Sequence, residues 1–248
     1  MAASTSIAVF RTEARLFARE PGNLFWMSVA PTALLTILGL IPAFREANPN
    51  YGGLRVIDLY VPVALLMAMI MAGVQAMPPV LAGYRERGIL RRMSTTPLRP
   101  TALLAAQIGL HGIAMLGSAV LAIGVGRLAF DVALPDQFAG YALIMVLTAL
   151  SVLALGAALS AVARNAKAAG AIGSVAFIMM MFSAGVWIPV QAMPDLLQRI
   201  VSLTPLGAAS LALGEAAGGG WPSWSHLAVV VVWTAVLAGA AVRWFRWE

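Results

Sequence analysis

Residues 138–163 contain no charged side chain. A helix rises about 1.5 Å per residue and the hydrocarbon core of a bilayer is about 30 Å thick, so roughly 20 apolar residues suffice to cross it. Five further runs of this kind, 23–44, 59–83, 101–125, 168–189 and 225–242, are separated by polar segments. Backbone polar groups in hydrocarbon must be satisfied within the segment, so each run is predicted to be a helix. The expected fold is an all-α integral membrane domain of six spans over residues 1–248. Hydrophobic residues make up 61% of the chain, against roughly 45–50% in soluble domains, which excludes a soluble protein. Cysteine is absent, which removes disulfides, thiolate metal sites and a cysteine nucleophile.

A net charge of +6 in a soluble protein would suggest nucleic acid; here its distribution sets orientation, and no nucleic-acid partner is expected. On a six-span map, Arg11, Arg15, Arg19, Arg85, Arg87, Arg91, Arg92, Arg99, Arg164, Lys167, Arg243 and Arg246 fall on one side. Arg45, Arg55, Arg127 and Arg199 fall on the other, among six acids. The first side is therefore predicted to be cytoplasmic, with both termini there.

Residues 4–20 alternate Ile7, Val9, Phe10, Leu16 and Phe17 with five charged residues, which suits an amphipathic helix lying in the membrane interface. Residues 23–44 lack a small-residue cleavage pattern and are read as a retained span. Residues 190–224 are too apolar for a free loop and too interrupted for a span. Pro194 and Thr204-Pro205 look like helix starts, with Gly214 able to close the second helix. Two short re-entrant helices are expected there; an amphipathic surface loop is the other reading.

Five of the sixteen basic residues crowd into residues 84–100, YRERGILRRMSTTPLRP. Residues 84–98 are predicted to form a short amphipathic helix with Ile89, Leu90 and Met93 on one arc, ended by Pro97. Arg87 and Arg91 are a like-charge pair one turn apart, which weakens a helix by roughly 0.2–0.5 kcal/mol unless something anionic relieves it. Anionic lipid or a protein partner can do so. An orienting anchor is the simpler reading, although five arginines exceed what orientation needs.

The segment Tyr84-Arg85-Glu86-Arg87-Gly88-Ile89-Leu90-Arg91-Arg92-Met93, followed by Thr96-Pro97-Leu98, resembles the first cytoplasmic loop of type-2 ATP-binding cassette (ABC) exporter permeases, including antibiotic-resistance permeases of the daunorubicin kind. A second, weaker likeness covers Gly185-Val186-Trp187-Ile188-Pro189, Met193-Pro194 and Thr204-Pro205-Leu206. The resemblance implies that 84–98 is a coupling helix docking on a separate ATPase subunit. Tyr84, Arg85, Glu86, Arg87, Gly88, Leu90, Arg91 and Arg92 are the coupling candidates. The turn carrying Arg164 and Lys167 is a second contact or merely an orienting turn. The resemblance further implies two ATPase copies, a second permease copy or paralogue, and a bacterial cytoplasmic membrane.

A phosphate-binding loop needs lysine in a GxxxxGK[ST] turn, and the sole lysine, Lys167, lies in Asn165-Ala166-Lys167-Ala168. The chain is thus expected to bind no cofactor and to be no enzyme, with ATP and Mg on the partner. Every Asp and Glu maps to a loop, a terminus or the first helix, which argues against ion coupling. Among the few polar residues within spans Gln75, Gln107 and His111 stand out; they line a substrate path or bond helices together. Met179 and Met180 are further path candidates, with packing or lipid contact as the plainer role. Pro78-Pro79 is read as a kink or a helix stop. The expected function is outward transport of an amphipathic molecule; an ion-coupled carrier or channel, and a non-transporting scaffold, are the alternatives.

Overall fold

The computed structural model describes residues 2–51, 53–94 and 100–244, and shows no β-strand beyond one isolated bridge between Ala47 and Arg55. A first helix, Ala2–Ala18, precedes six helices long and apolar enough to cross a membrane. These are span one Pro21–Gly39, span two Val56–Glu86, span three Pro100–Phe130, span four Phe138–Val162, span five Ala166–Ser183 and span six Trp224–Trp244. Boundaries shift from expectation at two helix ends. Span one stops at Gly39, five residues early, and span three runs through Arg127 to Phe130. Asp131 then turns the chain with φ +52, a conformation short polar side chains tolerate.

Span two is the axis of the bundle. Its most apolar window is 67% buried, against 11% for span six, which packs mainly on span four. Leu65, Leu66, Ile70 and Met77 are fully buried along it. The proline pair does not end this helix, as one reading of the sequence had it. A wide, π-helical turn, Met71–Ala76, precedes it, and the Met77 amide bonds the Ala72 carbonyl five residues back. The extra residue relieves the clash between a proline ring and the carbonyl one turn earlier.

The prolines nevertheless remove donors. Val74 has proline four and five residues ahead, and the fifth residue after Gly73 is Pro78, so no helical amide comes to either carbonyl. Glycines from neighbouring spans close on those oxygens. A β-carbon on Gly156 of span four would overlap the Gly73 carbonyl oxygen, and one on Gly173 of span five would lie 2.8 Å from that of Val74. Such backbone approach permits weak Cα–H···O contacts and is a recurrent way to pack helices in membranes.

At the end away from the arginine segment, Asp195–Ser202 and Pro205–Ala217 form a helix pair bent by 105°. Thr204 caps the second helix, its hydroxyl accepting from the Gly207 amide at 3.2 Å, with Pro205 in the first turn as anticipated. That helix passes Gly214 and ends at Ala217, three residues beyond the expected stop. At the same end Arg55 pairs with Asp58 at 2.7 Å and donates to the carbonyls of Phe130 and Asp131, tying the start of span two to the end of span three.

Gly156→Val is expected to push span four off the Gly73 carbonyl, an overpacking of about 1–3 kcal/mol or more. Thermal unfolding of the purified protein in mild detergent should show a lowered midpoint, whereas Gly117→Ala, where a β-carbon meets nothing within 4 Å, should not lower it, alanine being the better helix former.

Candidate functional site at the arginine-rich end

The arginine segment is two helices, where the sequence suggested one. Span two carries Tyr84, Arg85 and Glu86 in its last turn; the chain turns at Arg87-Gly88 and restarts as a short helix, Ile89–Ser94. Gly88 has φ +65, and a β-carbon there would meet nothing within 4 Å. Its role within the chain is therefore the left-handed turn. Thr96, Pro97, Leu98 and Arg99 lie outside the described residues. Leu90 is 1% exposed and packs with Tyr84 and Leu103, so the apolar arc of the short helix faces the bundle. Arg91 and Arg92 lie exposed on its other side, Arg92 also donating to the Arg87 carbonyl at 3.3 Å.

Arg85 and Glu86 bond within the chain. The Arg85 guanidinium donates to the carbonyls of Ala161 and Ala163, which close span four. Glu86 Oε2 accepts the amide of Ala166, the first residue of span five, at 3.0 Å. A cation at a helix C-terminus and an anion at the next N-terminus both complement the helix dipole. The pair therefore clasps the turn 163–165, whose Asn165 side chain also caps span five by accepting from Ala168 at 2.7 Å. Arg164 and Lys167 remain exposed on that turn.

A third link runs to the first helix. Glu13 is buried, and its Oε2 accepts from Tyr84 Oη at 2.7 Å and from Gln107 Nε2 at 2.6 Å. His111, one turn after Gln107, sets its Nδ1 2.8 Å from the Gln107 carbonyl and meets the Phe17 ring edge-on at 5.2 Å. Gln107 and His111 are 3% and 1% exposed, and these bonds and ring contacts tie them to the first helix and to their own helix. The first helix thus places a carboxyl group against spans two and three, where the sequence reading had charge only on its polar face. Val9, Glu13 and Phe17 recur at helical spacing, and this is the signal by which Glu13 could have been placed on the packed face.

Gln75 is exposed and donates to Ser174 Oγ at 3.3 Å across spans two and five. Met179 is exposed and Met180 half-buried on span five. No hydrogen bond joins Gln75 to Gln107 or His111 among the described residues. No group of three or more His, Asp or Glu that could hold a metal ion occurs among the described residues.

Glu13→Ala is expected to orphan two buried donors at about 1–3 kcal/mol each, whereas Glu13→Gln keeps an acceptor oxygen and should lose less. Thermal unfolding midpoints of the two variants against the native chain measure the difference. A Gly88→Val variant, strained at positive φ, should fall between them.

Comparison with known proteins places these features. Residues 6–212 match the family described as ABC-2 type transporter. The protein named "Putative transport permease YvfS" of Bacillus subtilis (strain 168) is 29% identical over 151 residues, 60% of this chain and 61% of that protein. The match takes in the first helix from Ile7 onward, the arginine segment, the first five spans and most of the bent pair. With six helices long and apolar enough to cross a membrane, and a family match over most of its length, this chain belongs to the ABC-2 type transporter family, the membrane-spanning part of ABC transporters.

Proposed function

We propose that this chain is the permease subunit of an ATP-driven exporter that moves an amphipathic molecule outward across a bacterial cytoplasmic membrane. The observation that carries this reading is the short helix Ile89–Ser94, which presents Arg91 and Arg92 outward while Leu90 and the adjoining Arg85–Glu86 clasp bind it to the bundle. A partner ATPase, two copies in the working assembly, docks on that arginine face; guanidiniums can pair bidentately with its carboxylates. The twelve-to-four distribution of basic residues supports a cytoplasmic location for this end and for both termini.

Movement of the short helix has three routes into the membrane. Tyr84 and Glu13 carry it to the first helix and, with Gln107, to span three. Arg85 carries it to span four, and Glu86 to span five. The first helix then serves as the interfacial element beside the coupling helix, and the bent pair as a re-entrant structure at the exit. A second permease copy, or a paralogue, completes the path, since an exposed glutamine such as Gln75 at membrane depth is better covered by protein than by hydrocarbon. ATP and Mg belong to the ATPase.

The buried Glu13 is the one observation that favours an ion-coupled carrier instead, and the same experiment separates the two. Arg91→Glu combined with Arg92→Glu should abolish co-purification of a phosphate-loop ATPase with the folded permease. Retention of the ATPase by this variant, or no ATPase accompanying the native chain, would sink the docking assignment.

A further inference from the structure

A cleft of about 820 Å3 opens at the arginine-rich end between the first helix, span two, the short helix and the start of span five. Arg19, Glu20, Asn23, Glu86 and Arg87 stand around it, with Pro79 and Val80 among its apolar wall. It shares Asn23, Gln75 and Ala76 with a further space of about 370 Å3, walled by Trp26, Met27, Met71 and Phe177. The two spaces adjoin across these shared residues, one charged and the other largely apolar, beside spans one, two and five.

The cleft holds two arginines and two glutamates, and no ion pair joins them among the described residues. Glu20 Oε2 already accepts from Asn23 Nδ2, and Glu86 Oε2 from the Ala166 amide. Arg19 has no side-chain acceptor among the described residues. Arg87 uses Nε on the Gly83 carbonyl at 3.1 Å and lies 5.6 Å over the Tyr84 ring, which leaves its two terminal nitrogens without a hydrogen-bond acceptor there. Two guanidiniums with unused donors form a receptor for an oxyanion, and phosphate matches their fork geometry. A phosphate drawn to this point would have hydrocarbon walls beside it, which take up an apolar chain.

We infer that the cleft binds an amphiphile with a phosphate head, the head between Arg19 and Arg87 and the chain along Trp26, Met71 and Phe177. This names a ligand class for the permease reading above and rests on it only for the ligand's fate: in an exporter, this is where cargo is taken from the inner leaflet. Bare phosphate satisfies the arginines and leaves the apolar space unused. A neutral amphiphile fills that space and leaves the arginines unused. Only the combined molecule engages both.

Titration calorimetry on the purified native complex in a neutral amphipol, with three probes, tests this. Dodecyl phosphate should bind saturably, and at least about tenfold tighter than either dodecyl maltoside or inorganic phosphate. Arg19→Gln combined with Arg87→Gln should weaken dodecyl phosphate about tenfold or more, while Trp26→Ala should weaken it without altering inorganic phosphate. Equal affinity for dodecyl maltoside would reduce the cleft to a greasy surface, and equal affinity for inorganic phosphate to a bare anion site; either overturns the inference, and neither comparison needs a variant to fold. Dodecyl phosphate binding that survives in the Arg91→Glu, Arg92→Glu protein after its ATPase is lost keeps the cleft apart from the docking assignment. A bound ATPase with no dodecyl phosphate binding removes the cleft alone.

Discussion

A proline pair inside a membrane helix leaves carbonyl oxygens without their helical donors, and the arrangement of this bundle follows from meeting them. Pro78 and Pro79 deprive Gly73 and Val74 of their helical donors, and the wide turn Met71–Ala76 turns those oxygens to the helix surface. Only a neighbour without a side chain can come close enough, and Gly156 and Gly173 do so from spans four and five. Three spans are thereby held at one level by backbone contact. Leu81 and Ala82 then continue the buried core toward the arginine-rich end.

The spans meet again where they emerge. The span-two helix closes with Arg85 and Glu86, which reach the C-terminus of span four and the N-terminus of span five respectively. Spans four and five therefore touch span two at two heights, by glycines within the bundle and by charge at its end. A rigid connection of this kind is what a transmitted movement requires, because packed helices shift as bodies and do not deform continuously. The widened turn lies at the first of these levels, and π-helical turns of this sort are frequent at functional sites.

The opposite end is stabilised differently. Arg55 is engaged by Asp58 and by two backbone carbonyls, and Glu215 accepts from the Ser223 amide and hydroxyl while lying 3.0 Å from His226 Nδ1. These bonds join neighbouring elements. At the arginine-rich end the clasps of Arg85, Glu86 and Glu13 likewise join elements, while Arg19 and the terminal nitrogens of Arg87 take no such role among the described residues.

The apolar runs were legible in the sequence because hydrocarbon length and backbone satisfaction allow a charge-free stretch such as 138–163 a single outcome, a helix across the membrane. Local chemistry was legible too: Thr204-Pro205 starts a helix because the cap and the proline ring act within one turn. The arginine segment stood out, but its division did not, since Gly88 can occupy a helix or a left-handed turn and the choice lay with Leu90 packing on Tyr84 and Leu103. Glu13 read as one more charge on a surface helix until Tyr84 and Gln107, residues 71 and 94 positions away, were brought to it. The sequence by itself determined six apolar helices, their alternation and the basic side, because those depend on transfer from water to lipid residue by residue. The tertiary structure alone decided which glycines meet the proline-freed carbonyls, which charges are consumed in clasps and which stay open, because those depend on where distant backbones cross.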